Sequence, residues 1–204
     1  MGDLPRLALI TDRRVCSSLP DTISAALDAV PPRSCLVILR EKDLLGRVLF
    51  ALAERLRRIT EGRALLSVNG RLDIALAVDA DGVHLGNDAP SLADVKQRAP
   101  ASMCFGTSAH THDELGAAAR SGADYALLSP IGDVPNKGSA LGFESLRTAS
   151  RAGLPIFALG GMAAGNARAA RDAGAYGVAV IRAVFAAVDP AAACAALYAA
   201  TYRL

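Results

Sequence analysis

The 204-residue chain has no tryptophan, and aromatic residues make up only 4% of it. Its core must be packed from Ala, Val, Leu and Ile, and with 52% apolar residues there is enough for one sizeable core. Charge of one sign is also missing. The net charge is +2, with no basic stripe and no acidic tail, which argues against nucleic acid or a strongly charged partner. No apolar run is long enough to span a bilayer, which argues against a membrane partner. The opening "MGDLPRLALITDRR" mixes acidic and basic residues around a short apolar run and reads as a first strand rather than a secretory leader. Cys16, Cys35, Cys104 and Cys194 are scattered without a CxxC pair, as expected of reduced thiols in a cytoplasmic protein.

Lysine is scarce as well. It occurs only at Lys42, Lys96 and Lys137, against nineteen arginines. Lys96 falls in a predicted surface helix and needs no explanation. Lys42 and Lys137 fall in loops directly after predicted strands, where a compact ammonium can act as a point charge on phosphate.

Short apolar runs recur along the chain: "LALIT" (7–11), "CLVILR" (35–40), "ALLSVN" (64–69), "GVHLG" (82–86), "SMCFGT" (102–107), "YALLSP" (125–130), "PIFALG" (155–160) and "GVAVIR" (177–182). They do not alternate with polar residues, as suits strands buried on both faces. Helix-length segments separate them, such as "LLGRVLFALAERLRRIT" (44–60). Thr111 and Glu114 predict a capping box, with Gly122 at the C-terminal end of the same helix. Eight such units predict a compact single-domain (β/α)8 TIM barrel over residues 1–204. An open doubly wound sheet would call for a glycine-rich turn after the first strand, and "DRRVCSSLP" has no glycine.

In a barrel the site lies at the C-terminal ends of the strands. The positions there are polar: Asp12-Arg13, Arg40-Glu41-Lys42, Asn69 with Arg71, His84 to Asp88, Thr107-Ser108, Ser129, Gly160-Gly161 and Ile181-Arg182. A Gly-Gly corner after the seventh strand, followed by the end of the eighth, suits a phosphate, because the backbone can approach it closely. The loop 131–140, "IGDVPNKGSA", is the longest insertion between a strand and its helix and could close over the mouth.

These residues carry a resemblance. "ITDRR", "LREKD", "NGRLDIAL", "ADGVHLG", "GTSAHTHDEL", "GADYALLSPI", "LGGM" and "GAYGVAVIRAV", in this order, resemble the thiamine phosphate synthase / thiazole tautomerase family along nearly the whole chain. The resemblance implies a barrel that binds thiazole phosphate. In the synthase branch it also implies binding of an aminopyrimidine diphosphate with Mg²⁺, and joining of the two with loss of diphosphate. By position it assigns Arg40, Lys42, Asn69 and Ser108 to the pyrimidine diphosphate, Lys137 to the flap, and Gly160, Gly161, Ile181 and Arg182 to the thiazole phosphate. Arg182 stands where a Ser is usual.

The departures bear on the chemistry. The synthase pattern has Asp where this chain has Gly70 and Ala89, and both of those acids resemble Mg²⁺ ligands, which must be hard oxygens. Asp88 lies one place away and Asp73 a turn into the next helix. A Gln of the pattern reads Ile38, and two Thr of the flap read Val134 and Asn136. Losing several groups that would stabilise a departing diphosphate argues against efficient synthase chemistry. "NGR" resembles the tautomerase branch, although the catalytic His of that branch reads Ser129-Pro130 here.

The expectation is therefore a thiazole tautomerase-like enzyme needing no metal or other cofactor, with Arg40 and Lys42 on the carboxylate, Lys137 of the flap as a catalytic residue, and His84 as base, the rival role for His84 being to orient the loop after the fourth strand. The alternatives are a divergent thiamine phosphate synthase, with Mg²⁺ as its cofactor, and a non-catalytic phosphate-binding homologue. His110 is expected in a capping or packing role and His112 in a solvated one, and Glu41 is a candidate base weakened by its cationic neighbours. Partners are small phosphorylated thiazole or pyrimidine compounds, and a homodimer like the family's is left open.

Overall fold

The computed structural model describes residues 4–135 and 137–202, so Asn136 of the flap lies outside the described residues. Eight parallel strands close a barrel in sequence order. They are β1 (Leu7–Ile10), β2 (Cys35–Leu39), β3 (Leu65–Asn69), β4 (Gly82–Leu85), β5 (Cys104–Ala109), β6 (Tyr125–Leu128), β7 (Ile156–Leu159) and β8 (Gly177–Val180). The helices between and after them are α1 (Leu19–Asp28), α2 (Gly46–Thr60), α3 (Leu72–Ala77), α4 (Leu92–Lys96), α5 (His112–Arg120), α6 (Gly142–Ala149), α7 (Ala164–Asp172), α8 (Arg182–Phe185) and α9 (Pro190–Tyr202). The barrel expected from the eight apolar runs is the observed fold.

The strands are apolar throughout because each face meets a different core. Leu7 and Leu9 of β1, and Cys35, Val37 and Leu39 of β2, point outward and pack with the helices. Ala8, Ile10, Leu36 and Ile38 point inward and join Leu65, Cys104, Tyr125, Leu127, Phe157 and Ala179 in filling the barrel. The inner fill is thus mostly small and branched. Its largest members, Tyr125 and Phe157, meet edge to face at 5.6 Å between ring centres.

Gly106 on β5 makes room for one of those rings. A Cβ there would lie 2.0–2.5 Å from three atoms of the Tyr125 side chain. The ring therefore occupies the space that any side chain at 106 would need.

Two expectations shift. β5 begins and ends two residues later than "SMCFGT", so Ser108 lies within the strand and not in the loop after it. Inside a barrel mouth, strand residues can be polar and still stay in the ladder, which is why Thr107 and Ser108 continue β5. The α5 cap forms with Thr111 Oγ1 accepting from the Glu114 amide at 3.2 Å. The return bond differs from a capping box, because Glu114 accepts from the His110 amide, one residue earlier.

Candidate active site

A cavity of about 390 Å³ opens at the C-terminal mouth of the barrel. Its wall brings together Arg40 and Lys42 after β2, Asn69 at the end of β3, His84 of β4, Ser108 of β5 and Lys137 of the loop before α6. Leu159 and Ile181 line the far side. Gly160, Gly161 and Arg182 do not line this cavity but flank Leu159 and Ile181 in the chain.

The cations differ in how they are held. The Arg40 amide donates to Thr11 Oγ1 at 2.9 Å, and Thr11 is fully buried at the end of β1. This anchors the start of the loop after β2. The Arg40 guanidinium and the Lys137 ammonium make no ion pair with another described residue, and the Asn69 amide side chain makes no hydrogen bond with one. Lys42 is engaged: its Nζ meets Asp88 Oδ2 at 3.1 Å across the mouth, and this lowers the Asp88 carboxyl below the usual range. Unpaired Arg and Lys beside neutral donors form a wall suited to a polyanion.

Glu41 is not a base of this site. It is 5% exposed, and its carboxylate accepts from the Arg13 amide and guanidinium, each at 3.0 Å. Arg13 also pairs with Asp43 at 2.7 Å, so one arginine ties the loop after β1 to the loop after β2. The partner that matters to Glu41 is thus a residue remote in sequence rather than its chain neighbours.

His84 also departs from its expected role. It is 2% exposed, with Nε2 at 3.0 Å from Ser108 Oγ and Nδ1 at 3.3 Å from the Tyr125 hydroxyl. Burial, with Arg40 nearby, pushes its pKa down to about 3. Both ring nitrogens are engaged by protein groups, so it lacks the free lone pair and the near-neutral pKa of a general base.

His110 lies on the cavity wall, and its Nδ1 donates to the Ser129 carbonyl at 2.7 Å. It thereby ties the ends of β5 and β6, a placement that its position before a helix does not suggest. His112 is exposed but bonds the Ser145 carbonyl of α6 at 3.1 Å, so it is not simply solvated.

The glycine corner has a packing reason. Gly160 and Gly161 have φ of +98° and +67°. A Cβ at 160 would lie 3.0 Å from Pro130 Cα, and one at 161 would lie 3.2 Å from Gly132 Cα. The loop after β6 is pressed against this corner, and the Gly132 amide donates to the Gly160 carbonyl at 2.9 Å. Asn166 braces the corner from α7: its Nδ2 donates to the Gly161 carbonyl and its Oδ1 accepts from the Ala163 amide, both at 2.9 Å. Arg182 opens α8, exposed and without a partner among the described residues.

The donor set does not fit a Mg²⁺ held by the protein. Among the described residues no three His, Cys, Asp or Glu side chains cluster as metal ligands. Gly70 has φ +68° with open space around it, and Ala89 packs against the core. Asp88 is taken by Lys42, and Asp73 by Arg71 at 2.6 Å. Near-octahedral oxygen coordination has too few protein oxygens to start from here.

Tyr125, Thr11 and Gly106 escaped the sequence reading, because each acts from behind the wall. The one signal for Tyr125 is a bulky phenol opening the strand in "GADYALL", beside a mid-strand glycine in "CFGTSA".

The model of a family described as thiamine monophosphate synthase matches residues 7–184. A thiamine-phosphate synthase of Roseiflexus castenholzii is 39% identical over 196 residues, covering 93% of this chain and 85% of that protein. One of Methanospirillum hungatei is 38% identical over 192 residues, covering 92% and 93%. The solved thiamine phosphate pyrophosphorylase of Pyrococcus furiosus superposes with a TM-score of 0.88 at 33% identity, covering 97% of this chain and 95% of that one. These names overturn the tautomerase expectation. So does the site, since that expectation required His84 to act as a free base.

Proposed function

Because the chain belongs to the thiamine monophosphate synthase family, we propose that it joins an aminopyrimidine diphosphate to a thiazole phosphate. The observation that carries this reading is the wall on which the unpaired Arg40 and Lys137 stand with Asn69 and Ser108 around one cavity. A single phosphate would not need so many convergent donors, whereas a diphosphate would use them all.

In the reaction the bond from the pyrimidine methylene carbon to the diphosphate oxygen breaks, and the oxygen keeps the electron pair. The thiazole nitrogen supplies the pair for the new carbon–nitrogen bond, and thiamine phosphate and diphosphate result. Negative charge grows on the leaving oxygen, so groups that bind it more tightly as it departs accelerate the step. Arg40 offers a planar fork to the diphosphate, and Lys137 adds a point charge from the loop above. Lys42 turns from Asp88 to the anion. Asn69 and Ser108 donate neutral hydrogen bonds. The corner at Gly160 and Gly161, with Ile181 and Arg182, holds the thiazole phosphate through backbone amides and one guanidinium. Mg²⁺ belongs to this reading in the family, but the residues present do not fit it, and no step here runs through it.

The test is incubation with both substrates, with and without Mg²⁺. Equal amounts of thiamine phosphate and diphosphate are expected. Intact substrates under both conditions would overturn the proposal.

A further inference from the structure

Behind Ser108 lies a buried polar line that the reaction as described does not use. The Tyr125 ring sits over Gly106, 0% exposed, and stacks on His84 at 5.7 Å between ring centres and 27° between planes. Its hydroxyl meets His84 Nδ1 at 3.3 Å, and His84 Nε2 meets Ser108 Oγ at 3.0 Å. Ser108 is the only member of this line that needs to face substrate. His84 borders the cavity but is only 2% exposed, and Tyr125 lies wholly inside the barrel.

Proton bookkeeping gives the line a direction. A buried phenol must place its proton on an acceptor. Ser67 Oγ, also buried, makes no hydrogen bond of good geometry, and its influence on the phenol is that of a donor to the Tyr125 oxygen, which leaves His84 Nδ1 as the acceptor of the Tyr125 proton. The imidazole is neutral, because burial and Arg40 both oppose a second proton. A neutral imidazole has one N–H, and with Nδ1 accepting, that N–H is on Nε2. Nε2 then donates to Ser108 Oγ. The Ser108 hydroxyl therefore cannot give its own proton to the histidine, and the proton turns to the cavity.

We propose that Tyr125 and His84 are positioning residues that hold the Ser108 hydroxyl as a hydrogen-bond donor toward a diphosphate in the mouth. This rests on the reading of Ser108 as a diphosphate ligand. Without the Tyr125 hydroxyl to fix the tautomer, the Ser108 hydroxyl would be free to donate inward to Nε2 and would present only lone pairs to the anion.

The first measurement is the ¹⁵N spectrum of the full-length protein with labelled histidine. His84 is identified by the loss of its ring signals in His84→Asn, and that ring is expected not to titrate between pH 5 and about 8. The Nε2–H tautomer is expected. The Nδ1–H tautomer, which would send the Tyr125 proton to Ser67, overturns the proposal whatever the enzyme does.

The second measurement is a double-mutant cycle with inorganic diphosphate as probe, using Tyr125→Phe, Ser108→Ala and both together. Tyr125→Phe removes one oxygen from the core and leaves the ring to pack. It is expected to weaken diphosphate binding roughly three- to tenfold and to have no effect once Ser108 is Ala. Equal weakening in both backgrounds, or none in either, overturns the proposal. A protein with the Nε2–H tautomer and the expected cycle that makes no thiamine phosphate would leave this positioning intact and overturn only the synthase reading.

Discussion

The two ends of the barrel hold cavities of nearly equal size, about 390 Å³ at the mouth and about 400 Å³ at the floor, yet they differ in what their charges do. At the floor, Asp81 accepts from the Leu66 amide and from Arg57, both at 2.8 Å, and Asp124 accepts from the Phe105 amide at 2.7 Å. Each acid precedes a strand and binds the strand before it. Before β8 Tyr176 takes that place, and its hydroxyl donates to the Leu4 carbonyl. At the mouth, Arg40 and Lys137 have no such partner among the described residues. Volume does not identify the site. Nor does one unpaired charge, because Arg33 at the floor also has no side-chain partner among the described residues; what marks the mouth is the convergence of Arg40 and Lys137 with Asn69 on one wall.

The sharpest test of this contrast is Arg40→Ala. It should lower kcat/KM for thiamine phosphate formation by on the order of 10²–10³ while leaving the thermal midpoint nearly unchanged. Asp81→Ala should do the reverse. It strands the Leu66 amide and the Arg57 guanidinium, so urea unfolding should show a loss of about 2–3 kcal/mol with unchanged kcat per folded molecule. A floor variant that abolished activity without loss of stability would break the comparison.

His84 sharpens it by pH. The unfolded chain takes up a proton near 6.5, but the folded one does so only near 3. Between these values the unfolded state binds more protons, so stability falls as pH drops through this window. The loss from pH 6.5 to 5 is on the order of 2 kcal/mol. His84→Asn should flatten that limb in urea titrations, and an unchanged slope would mean that the imidazole is not sealed.

The vacant acid positions offer a gain-of-function test at the mouth. Gly70→Asp with Ala89→Asp should raise Mg²⁺ affinity, read by calorimetry, by roughly tenfold. Asp is among the residues that best tolerate the positive φ at 70. The smallest effect belongs to the Lys42–Asp88 bridge, whose side chains are 48% and 74% exposed. Asp88→Asn should change stability by less than about 1 kcal/mol. Its visible effect should be on diphosphate binding, strengthened because Lys42 is released.

Much of this was legible in the chain. The apolar runs placed the strands because a barrel buries both strand faces, and polar residues after them marked the mouth because nothing else explains a polar end to an apolar strand. Lys42 and Lys137 stood out against an arginine-rich background, and both line the cavity. Function was misread where missing acids were given more weight than the whole pattern. The residues kept around the cavity suit a diphosphate, whereas the base that a tautomerase needs is sealed away at His84.

Sequence alone determined the repeating strand–helix order and which residue types stand at each strand end, since these follow from local periodicity and turn chemistry. Tertiary structure decided the partnerships. Tyr125 reaches His84 across 41 positions, His84 reaches Ser108 across 24, and Lys42 reaches Asp88 across 46. Barrel closure sets those distances, because parallel strands bring residues one or more strand–helix units apart to the same height at one mouth. Whether a histidine is a base or a brace depends on what faces its two nitrogens, and here those neighbours come from other strands.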